Sequence, residues 1–337
     1  MTLRRTDRVD VVLAAVEPGE ELAPSLLGFR RELGDRGDLI VVTACESDVS
    51  ERIRSIDAAA RVVVCASGTL VPELWAAGLR SSEARFVATS TARMVPRTGR
   101  LQAMLDRLIE TGAAGVGGPI EPSDELARFD RAVYLHRYLN YKSPCDVSDA
   151  FDPPGDNAMY RRDRLDRVRG SWSEGFWEVE VHRALRRLGD RLTFEASAGV
   201  IFMGGESRAP LLRVRIRHAS RYAYERSRGC RRAMTIGRLG ATPLVGPLLL
   251  GRVLKTMMKK GMRIAPWVGS AGDLIALKGA WTWGEFGGLV RALRGSRGDS
   301  RIDRTGTDAR GSGDSRGVVR GREAKAERHE KTDAYSS

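Results

Sequence analysis

Apolar residues in the first 120 positions fall into short runs separated by amphipathic stretches. Val11 to Val16 is an unbroken apolar run, with Val9 just before it across Asp10, a pattern that predicts a buried parallel strand. Glu21 to Leu33 then carries apolar residues at helical spacing. The alternation continues with strands at Leu39 to Val42, Val62 to Ala66, Phe86 to Thr89 and Ala113 to Val116. Helices are expected over Ser50 to Ala60, Val71 to Leu79 and Arg97 to Thr111. Strand and helix in strict alternation predict an α/β fold with a right-handed, mostly parallel sheet and flanking helices. Ligands on such sheets bind beyond the carboxyl ends of the strands. Glu17, Thr43 to Asp48 and Thr89 to Arg93 are therefore expected to face the site.

The alternation stops near Pro119. Phe129 to Tyr141 is aromatic-rich and predicted helical, and Ser143 to Gly155 is a loop with three prolines. Asp156-Asn157 then forms a polar turn that enters an extended or helical segment, Ala158 to Arg162. Trp172 to Leu188 contains a helix with two carboxylates at its head, closed by Gly189. Leu192 to Met203 reads as two short strands, and Ile264 to Leu293 alternates apolar stretches with isolated charges. From Arg294 onward almost no large apolar residue remains, so 294–337 is expected to be a disordered Arg/Gly/Asp/Ser tail.

Charge placement changes this picture more than total charge does. The 337-residue chain has a formal net charge of +13, and 15 Lys or Arg against the single acid Glu225 lie between Arg208 and Arg263. The domain reading is thus 1–205 as the α/β domain, 206–293 as a basic, partly apolar helical extension, and the tail. Basic groups beside the apolar run Leu239 to Gly251 suit an element lying on an anionic membrane surface. Nucleic acid is the rival partner on charge alone, but no reading module is present. No uncharged stretch reaches the ~18 residues a membrane span needs, and the amino terminus lacks a signal peptide's pattern. The four cysteines lie far apart, which argues against a disulfide framework or zinc site and fits a reducing compartment.

Candidate chemistry concentrates between Asp152 and Gly189. In Trp177-Glu178-Val179-Glu180 the two acids point to different sides of a helix, so one can enter a pocket while the other meets solvent. An apolar neighbour such as Phe176 or Trp177 would raise that carboxylate's pKa, which suits a general base. The plain alternative is an amphipathic helix with surface acids. Asp156 and Asn157 could hydrogen-bond sugar hydroxyls, and Arg161 or Arg162 could hold a diphosphate; an ordinary Asx turn with solvated arginines is the alternative. At Thr89-Ser90-Thr91-Ala92-Arg93, hydroxyls and one Arg stand where a metal-dependent nucleotide-sugar site would place two carboxylates for Mg²⁺ or Mn²⁺. Gly115, Gly117 and Gly118 precede a proline rather than a helix, so a dinucleotide fingerprint lacks its context. His136, His182 and His218 show no ligand spacing.

These residues together resemble the family 2 glycosyltransferases of GT-A fold, over roughly residues 8 to 205. V-D-V-V-L-A-A-V-E-P is similar to the family's first strand and nucleotide-contacting turn, and D-L-I-V-V-T-A-C-E-S-D to its second. P-G-D-N-A-M-Y-R-R-D-R-L followed by F-W-E-V-E-V-H-R-A-L-R-R-L-G is the most specific match. The family's base lies in an acidic pair about eleven residues before the helix-ending glycine, a spacing that here falls on Glu178, with Trp177 in place of the first acid.

The resemblance implies an inverting transfer of a sugar from a nucleoside-diphosphate donor to a glycan or lipid-linked acceptor, at the cytoplasmic face of the membrane. It places Glu178 as the base, Glu17, Asp48, Thr91 and Arg93 on the donor, and Asp156, Asn157, Trp177 and Arg161 on the acceptor. The family's D-x-D metal ligands are replaced by the Thr89 to Arg93 segment, so no metal ligand is expected and the cofactor stays open. A non-catalytic glycosyltransferase-like binding protein is the alternative, with a basic nucleic-acid-binding protein behind it.

Overall fold

The segment Val-Asp-Val-Val-Leu-Ala-Ala forms β1 (Val9–Ala15), buried along its whole length because strands pair with it on both edges. Its one polar residue, Asp10, is paired: Oδ1 accepts from the Asp38 N–H at 2.9 Å and Oδ2 from the Ser82 hydroxyl at 2.7 Å. The computed structural model describes residues 8–16, 19, 21–44, 47–145, 152–227 and 232–302. Contacts divide these into two units, one formed by 8–207 with 255–273, the other by 208–254 with 274–302.

In the first unit the order after β1 is α1 (Leu22–Leu33), β2 (Leu39–Thr43), α2 (Ser47–Ile56), β3 (Arg61–Val64), α3 (Val71–Arg80), β4 (Phe86–Thr91), β5 (Met94–Pro96) and α4 (Arg100–Thr111). There follow β6 (Gly115–Gly117), β7 (Ile120–Pro122), α5 (Arg128–Arg137), β8 (Asn157–Arg161), α6 (Arg162–Arg167), α7 (Glu178–Arg187), β9 (Leu192–Phe194) and β10 (Val200–Phe202). Among the described residues, seven strands make one sheet in the order β3-β2-β1-β4-β8-β6-β9. Every pairing is parallel except those of β8, which runs antiparallel to β4 and β6. A small second sheet has the order β5-β10-β7. The fold is thus the α/β, mostly parallel sheet with flanking helices that the alternation of strand and helix predicts.

The core on one face gathers Val12, Val42, Leu74, Trp75, Tyr160 and Phe176, and α7 docks there through Val181, His182 and Leu185. Phe176 meets Trp75 edge-on with ring centroids 6.5 Å apart, and Tyr160 at 5.2 Å. Such pairs add about 0.5–1.5 kcal/mol beyond area burial. A buried polar chain also fixes α7. Arg186 Nη1 donates to Asp152 Oδ1 (2.7 Å), His182 Nδ1 lies 3.0 Å from the same oxygen, and His182 Nε2 lies 2.8 Å from the Tyr160 hydroxyl. Burial lowers the His182 pKa against the pull of Asp152. The ring is therefore neutral at pH 7, with Nδ1–H on Asp152 and Nε2 accepting from Tyr160.

Residues 255–273 belong to this unit rather than to the basic extension. Lys260 donates to the carbonyls of Asn140, Lys142 and Pro144, Arg131 Nη1 donates to Pro266 O at 2.8 Å, and the Trp267 ring lies 5.7 Å from Tyr134.

The second unit is helical, built from α8 (Arg208–Ser227), the Arg232–Leu254 part of α9 (Arg232–Lys259), and most of α10 (Ala271–Ile302). Gly284 and Gly288 of α10 lie on α8, where a Cβ at either would collide with the carbonyl oxygens of Ile216 and Ser220. Helix α10 continues past Arg294, the residue at which the sequence predicts order to end. Extending an existing helix adds a backbone bond per residue, so few apolar contacts are needed for that final stretch. Residues 303–337 of the expected tail lie outside the described residues.

Candidate active site

Strand β8 creates the site. It begins at Asn157 opposite Ser90 and runs antiparallel to β4, so the residue before it, Asp156, falls beyond the carboxyl end of β4. The turn is stitched down there: the Ser90 hydroxyl donates to Asp156 O at 2.7 Å, and Trp75 Nε1 donates to Ser90 O at 2.7 Å. Gly155 brings α7 against this turn, its N–H donating to Glu178 Oε1 at 3.0 Å. A Cβ at 155 would lie 2.6 Å from the Trp75 ring and 2.7 Å from Glu178 Oε1, so only glycine permits the approach.

Glu178 occupies the first position of α7, with Trp177 as the preceding cap residue. The residue is half-buried, and the surrounding protein desolvates its carboxyl. Burial foremost, then the Asp156 charge, raise its pKa to about 7, against the Gly155 N–H, its own N–H and Arg137, which favour the ionised form. A carboxyl tuned close to the working pH suits proton transfer. Glu180 points outward and is exposed.

Around Asp156 a charge cluster closes. Its Oδ1 accepts from the Tyr138 hydroxyl (3.1 Å) and the Thr91 hydroxyl (3.2 Å), and its Oδ2 from Arg137 Nη2 (3.4 Å). The other arm of Arg137 reaches Glu206 Oε1 at 3.4 Å. Burial works against the Arg137 charge, but Tyr138, Asp156, Glu206 and Glu178 outweigh it and raise its pKa. Arg93 spans the neighbouring strands, donating to Val16 O (3.1 Å) and Gly205 O (3.0 Å), with Glu206 Oε2 3.7 Å away. Gly204 and Gly205, at φ 86° and 85°, turn the chain so that the Glu206 N–H reaches Asp130 Oδ1 at 3.0 Å. The Asp130 carboxyl is raised by its burial.

The structure therefore brings together Glu178, Asp156, Thr91 and Arg93 at the carboxyl ends of β1 and β4. Trp177 stands half-buried beside them, its indole against Gly175. Asp48 is exposed at the start of α2, past the carboxyl end of β2, where it accepts from the Val49 N–H at 2.9 Å. Glu17 lies outside the described residues.

Two expectations need correction. Asn157 is fully buried and its amide is spent inside the fold: Oδ1 accepts from Arg100 Nε (2.7 Å), while Nδ2 donates to Pro119 O and Ala198 O at 2.9 Å each. It faces no acceptor. Asn157→Ala should leave the buried Arg100 Nε without its acceptor, costing about 2–3 kcal/mol of unfolding free energy by urea denaturation, with ligand affinity unchanged in whatever stays folded. Arg161 pairs with Phe86 at the opposite end of β4, and its guanidinium is held by Asp163 at 2.9 Å. Four residues of strand separate it from Asn157, about 13 Å.

Arg137, Tyr138, Gly155 and Glu206 escape the sequence reading. The nearest signals are an Arg beside a Tyr at the end of an aromatic helix, and a Gly-Gly-Glu after the last strand.

The donor set does not fit a divalent ion at Thr89 to Arg93. Thr91 is engaged with Asp156, the two nearest carboxylates are already bridged by Arg137, and among the described residues no group of three or more His, Cys, Asp or Glu could hold a metal.

No protein-family model matches the chain, and no curated protein matches its sequence. Two solved structures share its general course. One is a mannosyltransferase from Pyrobaculum calidifontis in complex with GDP-mannose and Mn²⁺, 14% identical over 86% of each chain with a TM-score of 0.47. The other is a mycobacterial protein, 18% identical over 60% of this chain and 69% of that one, with a TM-score of 0.44. At such scores neither likeness bears on chemistry.

Proposed function

We propose that the chain is an inverting glycosyltransferase that uses a nucleoside-diphosphate sugar and a hydroxyl acceptor. The observation that carries this reading is Glu178, a carboxyl raised to about 7 at the carboxyl end of a mostly parallel sheet, beside cationic side chains. In the reaction, ionised Glu178 takes the acceptor hydroxyl's proton. The oxygen attacks the anomeric carbon as the bond to the diphosphate breaks from the opposite side, and a single displacement inverts the configuration. Arg93 and Arg137 supply positive charge where the leaving diphosphate gains negative charge. Trp177 offers an apolar surface for the acceptor, and Asp48 the polar edge for the nucleotide.

No step is routed through a metal, because the described donors at Thr89 to Arg93 fit none. Incubating purified protein with a panel of nucleoside-diphosphate sugars and glycan or lipid-linked acceptors should release diphosphate from one donor, at a rate unchanged by EDTA. Loss of release on chelation would overturn the cationic assignment, and no release from any donor would overturn the activity.

A non-catalytic binding protein is favoured by one observation: Arg93 and Arg137 already contact Glu206 and Asp156. Donor binding without turnover would select it.

Among the described residues no helix is long and apolar enough to cross a membrane. The reading places the protein peripherally on the inner membrane face, supported by the basic residues of α8 and α9.

A further inference from the structure

In the second unit α9 and α10 enclose a groove of about 500 Å³, within the ~300–1,000 Å³ of small-molecule sites. Its walls are apolar, including Leu239, Leu250 and Ile275, with the stacked pair Trp283 and Phe286, ring centroids 6.0 Å apart. Ile275, Trp283 and Phe286 are 56%, 68% and 42% exposed, which leaves a contiguous hydrophobic surface open to water. Lys278 also lines this groove and is only 2% exposed. It makes no side-chain hydrogen bond or ion pair among the described residues. The charge that acts on it is the like-signed Arg215, and burial with Arg215 lowers its pKa to about 8. An ammonium withdrawn from water without a counter-charge is costly, and pairing it with an anion relieves that cost.

We propose that this groove binds a long-chain anionic amphiphile, its alkyl chain along the Trp283–Phe286 wall and its carboxylate on Lys278. Charge decides between this occupant and a second copy of the chain. Residues 208–254 and 274–302 carry 16 Lys or Arg and three acids, so pairing two such surfaces would bring like charges together and leave Lys278 unmatched. A fatty acid satisfies both features at once: the chain covers the apolar wall, and the head group pairs with the ammonium. The site stands apart from the proposed transfer chemistry and does not depend on it.

Isothermal titration of the full-length protein with palmitate, below its aggregation limit, tests this. Palmitate should bind one to one, methyl palmitate at least tenfold more weakly, and acetate not detectably. Lys278→Met should lower palmitate affinity at least tenfold and leave methyl palmitate binding unchanged. Because the substitution removes an unpaired buried charge, its melting temperature should not fall, which separates lost binding from lost folding. Equal affinity for palmitate and its methyl ester would overturn the proposal, as would undiminished palmitate binding by Lys278→Met. Self-association without palmitate uptake would also overturn it, pointing to an interface between copies.

Discussion

Replacing Glu178 by Gln should lower the turnover of sugar transfer by about 10²–10⁴-fold, the usual contribution of a positioned general base. Gln keeps the shape and can still accept from the Gly155 N–H, so the loss reports the missing proton acceptor. The wild-type rate should rise with pH through a midpoint near 7, as the carboxyl ionises, and the residual rate of Glu178→Gln should lack that limb.

Stability should move the opposite way. A carboxyl whose folded pKa is raised favours the folded state while protonated, below its ordinary value of 4.5, and this contribution is lost as pH climbs through about 7. Above that pH the buried charge costs on the order of 3 kcal/mol, which Gln does not incur. Glu178→Gln should therefore melt several degrees higher than wild type at pH 8, with the gap closing near pH 4. An inactive variant that also melts lower at pH 8 would mean the glutamate serves folding.

Arg137→Met has the next largest effect. It removes the cation between Asp156 and Glu206, two carboxylates with 6% and 10% of their side chains exposed. Losing one partner of a buried pair costs about 3–5 kcal/mol, and the partial opening of Arg137 itself brings the expected loss nearer 2–3 kcal/mol in urea unfolding. Arg137 also favours ionised Glu178, so without it the rising limb of the pH–rate profile should shift to higher pH. Arg137→Lys should restore most of the stability, and less of the rate, because an ammonium cannot span both acids as the guanidinium fork does. An unshifted limb in Arg137→Met would separate the arginine from the base.

The parallel half of the sheet was legible because β1 and β2 are buried along their whole length and so read as near-continuous apolar runs. The helix that Glu178 heads was legible for a local reason: an aromatic neighbour and a terminating Gly189 at φ 79° lie within one short segment, while the assignment of Glu178 as the base came from the resemblance alone. What failed depends on long-range pairing. Asn157 looks like a loop residue, and only the insertion of β8 between β4 and β6 buries it. Arg161 sits four positions along the same strand, and strand geometry carries it to the far end. Arg137 meets Asp156 across 19 residues of chain and Glu206 across 69, through no pattern that any of these segments carries alone. Within the helical extension expected over 206–293 the bounds of α10 were not legible, because Trp-Gly-Glu-Phe-Gly-Gly lowers helix propensity, a cost offset by the close approach Gly284 and Gly288 allow against α8.

The carboxyl carbon of Glu178 can be followed directly, by carbon NMR of glutamate-labelled protein with Glu178→Gln used for assignment and no substrate present. A titration midpoint near 7, moving upward in Arg137→Met, is the predicted result. A midpoint near 4.5, the value of an ordinary solvated glutamate, would contradict the account.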